Sequence, residues 1–192
     1  DANKGSLSVG AAFVVAGSSG NVAGAAVNVA NVDNYFTAAL ADATLAANSV
    51  SAEADADSLA VNVSAGVAAG SKDFGGMGSV TWQDMDNTVL AKASDSAITA
   101  DSLAVKAASN SQAVNVAGSV AYGKTAGVGA ALAYNGLDNH IGAYLAGGSV
   151  TAKTPSTGVS VDVEGKNTGK IYGIGAAVAA SQTAAVNGTV VV

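Results

Sequence analysis

Few residues in this chain could do chemistry, and the sharpest constellation runs Gly118-Ser119-Val120-Ala121-Tyr122-Gly123-Lys124-Thr125. It fits the phosphate-binding loop pattern, in which glycines let backbone N–H groups cradle phosphate and the lysine adds charge. That loop must join a strand to a helix. Here Val120 and Tyr122 continue a two-residue alternation, and 126–132 is Gly-rich and strand-like. The stretch therefore reads as a strand and its turn. Gly127/Gly129 and Gly173/Gly175 resemble the start of a dinucleotide fingerprint, but Leu132 and Val178 stand where its third small residue belongs. These glycines read as turns or points of tight inter-coil packing.

His140 is the single histidine and there is no cysteine. Neither a Ser-His-Asp triad nor an ordinary zinc site can be assembled from that set. Carboxylates gather at Glu53, Asp55 and Asp57, and again at Asp84 and Asp86. A spacing of two puts each group on one face of a strand. Calcium takes such oxygens, yet the Gly-Gly-x-Gly-x-Asp nonapeptide is absent, because Gly75-Gly76-Met77-Gly78 is followed by Ser79 and Val80. A solvated acidic surface is the expected reading. No catalytic, metal-binding or cofactor-binding residue is assigned, and no cofactor is expected.

The elements that would position these groups come from an internal repeat. Its anchor is an apolar residue followed by Asp-Asn: Val32-Asp33-Asn34, Met85-Asp86-Asn87 and Leu137-Asp138-Asn139, spaced 53 and 52 residues apart. Phe36, Val89 and Ile141 align, as do Ala38, Ala91 and Ala143, and Leu45, Ile98 and Val150. Trp82 aligns with Val29 and Tyr134, a position expected in the core or a groove. His140 aligns with Thr88 and Tyr35, a varying position beside the Asp-Asn step. Ala60-Val61-Asn62-Val63 recurs as Ala113-Val114-Asn115-Val116. Val50, Leu103 and Val159 align if 154–157, which holds the only proline (Pro155), is a four-residue insertion. Ile174-Gly175-Ala176-Ala177 echoes Val9-Gly10-Ala11-Ala12. The boundaries that follow are repeats 6–57, 58–110 and 111–167 and a partial repeat 168–192, within one fragment spanning 1–192. Asp33, Asn34, Asp86, Asn87, Asp138 and Asn139 are read as structural turn residues, since both types tolerate left-handed or side-chain-bonded turns.

Alanine favours helix, but the alternation decides for strand. Leu59, Val61, Val63, Ala65, Val67 and Ala69 occupy every second position, and Val114, Val116, Gly118, Val120 and Tyr122 repeat them. This is the period of a strand with one buried face. That apolar set is expected inside, with Ala60 outside. Ala38, Ala91 and Ala143 are also expected inside. Gly-rich breaks suggest about five short strands per repeat, wound as two coils of roughly 26 residues, or as three of roughly 18. The fold class is thus all-β, a parallel β-helix (β-solenoid) built from repeats of about 53 residues.

Composition narrows the function. The chain is 49% hydrophobic but only 5% aromatic, so its apolar mass is Ala and Val, suited to a thin core. Net charge is −6 with eight scattered Lys and Arg. No basic patch exists to neutralise phosphates, which argues against nucleic acid. Apolar runs are too short for a membrane helix. Asp1 and the β-like run Thr189-Val190-Val191-Val192 read as points within a longer chain.

The Gly-Ala-Ala runs (Val128-Gly129-Ala130-Ala131 and Ile174-Gly175-Ala176-Ala177-Val178), the Asp-Asn step and the apolar-any-Ala pattern resemble repeats of filamentous-haemagglutinin-like adhesins. They resemble in particular those of the leukotoxin-type filamentous adhesins of Gram-negative anaerobes. The resemblance implies a right-handed parallel β-helix, secreted or exposed at the bacterial cell surface, serving as a non-catalytic stalk or adhesive segment in attachment and virulence. It implies a host-cell or neighbouring-cell surface protein or glycan as partner, with outer-membrane anchoring only through regions outside this stretch. Two rivals remain. Polysaccharide-acting enzymes also use β-helices, but need acids and bases gathered in one groove. Ice-binding or self-assembling solenoids show regular Thr ladders, whereas Thr is sparse and unaligned here. The period-two pattern predicts a β-type far-ultraviolet circular dichroism spectrum, and a dominant helical signal would overturn it.

Overall fold

The computed structural model describes residues 2–192 and is built from strands and turns. The chain is a parallel β-solenoid. In the first coil, β1 (Ala2–Ser18) leads through a short tip into β2 (Val22–Ala41), and then into a three-residue strand, β3 (Thr44–Ala46). The second coil repeats this as β4 (Ser49–Gly70), β5 (Phe74–Ser94) and β6 (Ala97–Thr99). The third gives β7 (Ser102–Tyr122), β8 (Ala126–Ala146) and β9 (Ser149–Thr151), and β10 (Ser160–Ala180) and β11 (Ala184–Val191) follow. Equivalent strands stack in parallel: β1-β4-β7-β10 form sheet A, β2-β5-β8-β11 form sheet B, and β3-β6-β9 form the narrow sheet C.

One repeat is therefore one coil. The expectation of two or three coils per repeat, with five short strands, does not hold. Gly66, Gly118, Gly127 and Gly129 lie inside long strands. Gly66 leaves the space that Met77 fills, since a Cβ there would overlap the Met77 methyl group. Strands of about 20 residues reach ~66 Å at ~3.3 Å per residue, while stacked coils advance only ~4.8 Å each. The shape is a wide, thin blade.

The register bears out most of the repeat alignment. Asp33, Asp86 and Asp138 share a row, as do Asn34, Asn87 and Asn139. Ala60 and Asn62 lie opposite Ala113 and Asn115. Two alignments shift. The corner from Thr151 to Ser160 is six residues longer than its counterparts, and Val161, not Val159, faces Leu103. Ile174 stands over Val116, Val63 and Ala11, so its echo of Val9 is two residues out.

The corners use local chemistry. Asp42 and Asp95 adopt positive φ of 51° and 50°, and Gly147 takes their place in the third coil with φ 69°. Aspartate and glycine tolerate this left-handed region. Asp42 N–H donates to Ser94 O at 3.2 Å, and Asp95 N–H to Ala146 O at 2.9 Å, so each corner is tied to the next coil.

The interior changes character along the blade. Toward sheet C it is apolar: Val50, Ala54, Ala56, Val89, Ala91, Ile98, Leu103 and Val105 are buried together. Ala38 and Ala91 point inward as expected, and Ala143 packs against the same cluster. Toward the tip joining sheets A and B, the inward set in β4 is Ala60, Asn62, Ser64 and Ala68. Ala60, read from sequence as outward, is fully buried. Leu59, Val61, Val63 and Val67 turn out instead, the reverse of the expected faces. Two-residue alternation names two faces without saying which is covered. Overpacking a close-fitted interior typically costs about 1–3 kcal/mol. Ala60→Phe and Ala91→Phe should therefore both lower the melting temperature sharply, whereas Val61→Thr, on the outer face, should change it little. A neutral Ala60→Phe in thermal denaturation would refute the inverted register.

Candidate functional site

The Asp-Asn rows are the best-ordered polar feature, and they lie at the middle of β2, β5 and β8. The reading of Asp33, Asn34, Asp86, Asn87, Asp138 and Asn139 as turn residues is thus corrected. Their intrinsic turn preference is overridden by backbone pairing with neighbouring coils and, for Asn, by a side-chain ladder. Asn34 Nδ2 donates to Asn87 Oδ1 at 2.7 Å, Asn87 Nδ2 to Asn139 Oδ1 at 2.8 Å, and Asn139 Nδ2 to Asn167 Oδ1 at 2.9 Å. Serines of sheet A close the network from across the interior. Ser58 Oγ donates to Asn87 Oδ1 at 3.1 Å, and Asn87 Nδ2 donates to Ser111 Oγ at 3.0 Å. Both amide atoms of Asn87, which is fully buried, are doubly bonded.

The aspartates of the same step point to solvent. Asp33, Asp86 and Asp138 are exposed and form an unbroken row. His140 Nε2 lies 3.4 Å from Asp138 Oδ2, with both side chains largely exposed. It aligns with Thr88 and Tyr35 on the outer surface, as expected, though in mid-strand rather than beside a turn. Among the described residues, no group of three His, Cys, Asp or Glu side chains is placed to hold a metal ion.

The other acidic cluster is neutralised across the stack. Glu53 lies opposite Lys106, which lies opposite Glu164. Lys106 Nζ is 2.8 Å from Asp162 Oδ2, both side chains being exposed. The hydrogen bond to Asp162, and then its charge, hold the Lys106 ammonium above the ordinary lysine pKa. A lysine that serves as base or nucleophile needs the opposite shift. Asp57 Oδ1 accepts from Asn110 Nδ2 at 3.2 Å.

The phosphate-loop lookalike is spent on the ladder. Ser119 faces the interior, while Gly118 and Val120 face outward. Gly123 N–H donates to Ala180 O at 3.2 Å, Lys124 N–H to Lys72 O at 2.9 Å, and Thr125 N–H to Asp73 O at 3.0 Å. These donors, which a phosphate would need, already bind neighbouring coils.

Trp82 sits on the outer surface of sheet B, not in a core, and stacks on Tyr134 with ring centroids 3.9 Å apart. Val29 is its register neighbour on the other side. One face of the Trp82 ring is thus covered by Tyr134.

Sequence reasoning missed two features. One is the polar interior of the tip half, where Asn62 Nδ2 donates to Gln83 Oε1 at 3.0 Å and Ser64 pairs with Ser79. The recurrence of Asn28, Asn62 and Asn115 among alternating residues was its signal. The other is the apolar outer surface of that same half. No protein-family model, curated protein or solved structure matches the chain.

Asn87→Leu keeps the volume but strips four hydrogen bonds, leaving buried partners that cost about 1–3 kcal/mol each when unpaired. It should destabilise the fold by roughly 3 kcal/mol, measured by denaturant unfolding. A loss below about 0.5 kcal/mol, the range of ordinary surface changes, would mean that the ladder is ornamental.

Proposed function

We propose that the chain is a non-catalytic adhesive segment of a large secreted or surface-exposed bacterial adhesin. The observation that carries this reading is the blade shape. Each coil uses 53 residues or so between equivalent positions and gains only ~4.8 Å of length. A coil that long is a poor way to make a spacer and an effective way to make surface, because each long face grows by ~66 Å for every added strand. The outer row Tyr35, Thr88, His140 changes chemistry at each coil, while the inner row Asn34, Asn87, Asn139 does not.

The resemblance to filamentous-haemagglutinin-like repeats supports the same reading and adds the setting: export, an extracellular location, and a surface protein or glycan of a host or neighbouring cell as partner. The enzyme alternative finds less support, since Asp162 and Asp57 on sheet A are engaged by Lys106 and Asn110. Beads coated with the 192-residue chain should bind host or neighbouring bacterial cells, and free chain should compete. Release of reducing ends from a polysaccharide panel, or adhesion no greater than that of beads carrying an unrelated solenoid, would overturn the proposal.

A further inference from the structure

The half of the blade nearest the A–B tip is inverted. On sheet A the outward rows are Val9-Val61-Val114-Tyr172, Ala11-Val63-Val116-Ile174, Phe13-Ala65-Gly118-Ala176 and Val15-Val67-Val120-Val178. On sheet B they are Ala23-Gly76-Val128-Val186, Ala25-Gly78-Ala130-Gly188 and Val27-Val80-Leu132-Val190, followed by Val29-Trp82-Tyr134. No outward residue of these rows carries a charge. Phe13, Val15, Val27 and Val29 are each more than half exposed. Inside the same half lie Asn62, Ser64, Ser79, Thr81, Gln83 and Asn115.

We infer that this rim is built to enter the hydrocarbon of a lipid bilayer, with its polar interior sealed between the two sheets. Four observations converge. Apolar-out and polar-in alternation is the pattern of strands that meet lipid. The band covers both faces, and each gives way to polar rows: on sheet A first Leu7-Leu59-Gln112-Lys170 and then Asp57-Asn110-Thr168, on sheet B Asn31-Asp84. Its depth from Val61 to Ala69 is nine residues, ~30 Å at ~3.3 Å each, the thickness of a hydrocarbon core. Aromatic rings mark its limits, Trp82 and Tyr134 beside the acidic border and Tyr122 and Phe74 at the tip, as at membrane interfaces. Beyond them the tip is polar, with Ser71, Lys72, Asp73, Lys124 and Thr125. In the two middle coils every strand of the band is hydrogen-bonded on both sides, as hydrocarbon demands of a backbone.

A second copy of the chain is the competing occupant. It would need one apolar face, and it gives no reason for apolar surface on both faces around an interior that holds Asn62, Gln83 and Asn115. The lipid inference goes beyond the adhesive reading and does not rest on it, since the polar half stays in water in either case.

The absence of cysteine allows single labels. An environment-sensitive fluorophore on Val67→Cys should shift to the blue with neutral phosphatidylcholine vesicles and be quenched by lipids brominated on their acyl chains. The same fluorophore on Asp57→Cys should stay water-like. Val67→Asp combined with Val128→Asp changes one exposed position in each sheet, so circular dichroism and melting should be retained while co-flotation with vesicles falls at least tenfold. Failure of the Val67 label to shift with vesicles would overturn the inference. So would a shift that appears without vesicles together with doubled mass in light scattering, which would assign the face to a second copy. Undiminished flotation of the folded double variant would overturn it equally.

Discussion

Each coil is held in place by hydrogen-bonding, in register, to a near-copy of itself, and this constraint reaches every side chain. Whatever stands at one position stands ~4.8 Å from its equivalent in the next coil. Where the residue can bond to itself, as Asn87 does with Asn34 and Asn139, repetition is rewarded. Where it cannot, repetition is a cost, because like charges directly opposite one another destabilise a sheet. The chain meets that cost in two ways. On sheet A it alternates sign, through Glu53, Lys106 and Glu164. On sheet B it leaves Asp33, Asp86 and Asp138 in open water, where screening weakens their repulsion.

The same constraint lets one blade carry two interiors. Near sheet C the inward rows are Ala, Val, Leu and Ile, and burial of apolar surface holds the sheets together. Near the tip Asn62, Asn115, Ser64, Ser79, Thr81 and Gln83 interleave with Met77 and small alanine clusters, so hydrogen bonds across the gap join apolar contact. The Asn34-Asn87-Asn139-Asn167 ladder lies between the two regimes, bonded to serines rather than packed against leucines.

The β class, the repeat and most of the register were legible in the sequence because they depend on period and recurrence. Ala38 and Ala91 were placed inside correctly, where flanking residues such as Val89 are apolar. Strand length was not legible. Gly127 and Gly129 look like breaks, yet in a ladder bonded on both sides glycine costs little, and at Gly66 it admits Met77. The sense of the tip half was misread for a related reason. Val61 and Val63 resemble a core, and only the repeated asparagines between them point the other way. The Asp-Asn step looked like a turn because its local preference is for one. The left-handed corners, Asp42, Asp95 and Gly147, lie instead between the second long strand and the short third strand of each coil.

The length of the coil also sets how the chain can acquire its structure. No strand has its ladder partner nearer than 52 residues along the chain, so the first pairing of backbones must close a loop of that size. Loop closure alone then costs about 3.5 kcal/mol beyond a constant, before any apolar surface is covered. Once two coils have met, each further coil meets a finished template and adds its bonds one after another, as in other repeat proteins. Folding should therefore wait on a rare nucleus and then run quickly along the chain. Its rate would depend little on the number of coils, but strongly on whatever delays the first pairing. The eight-residue corner between Thr151 and Ser160 lengthens the loop that brings β10 to β7 to 58 residues, so pairing between the earlier coils closes shorter loops.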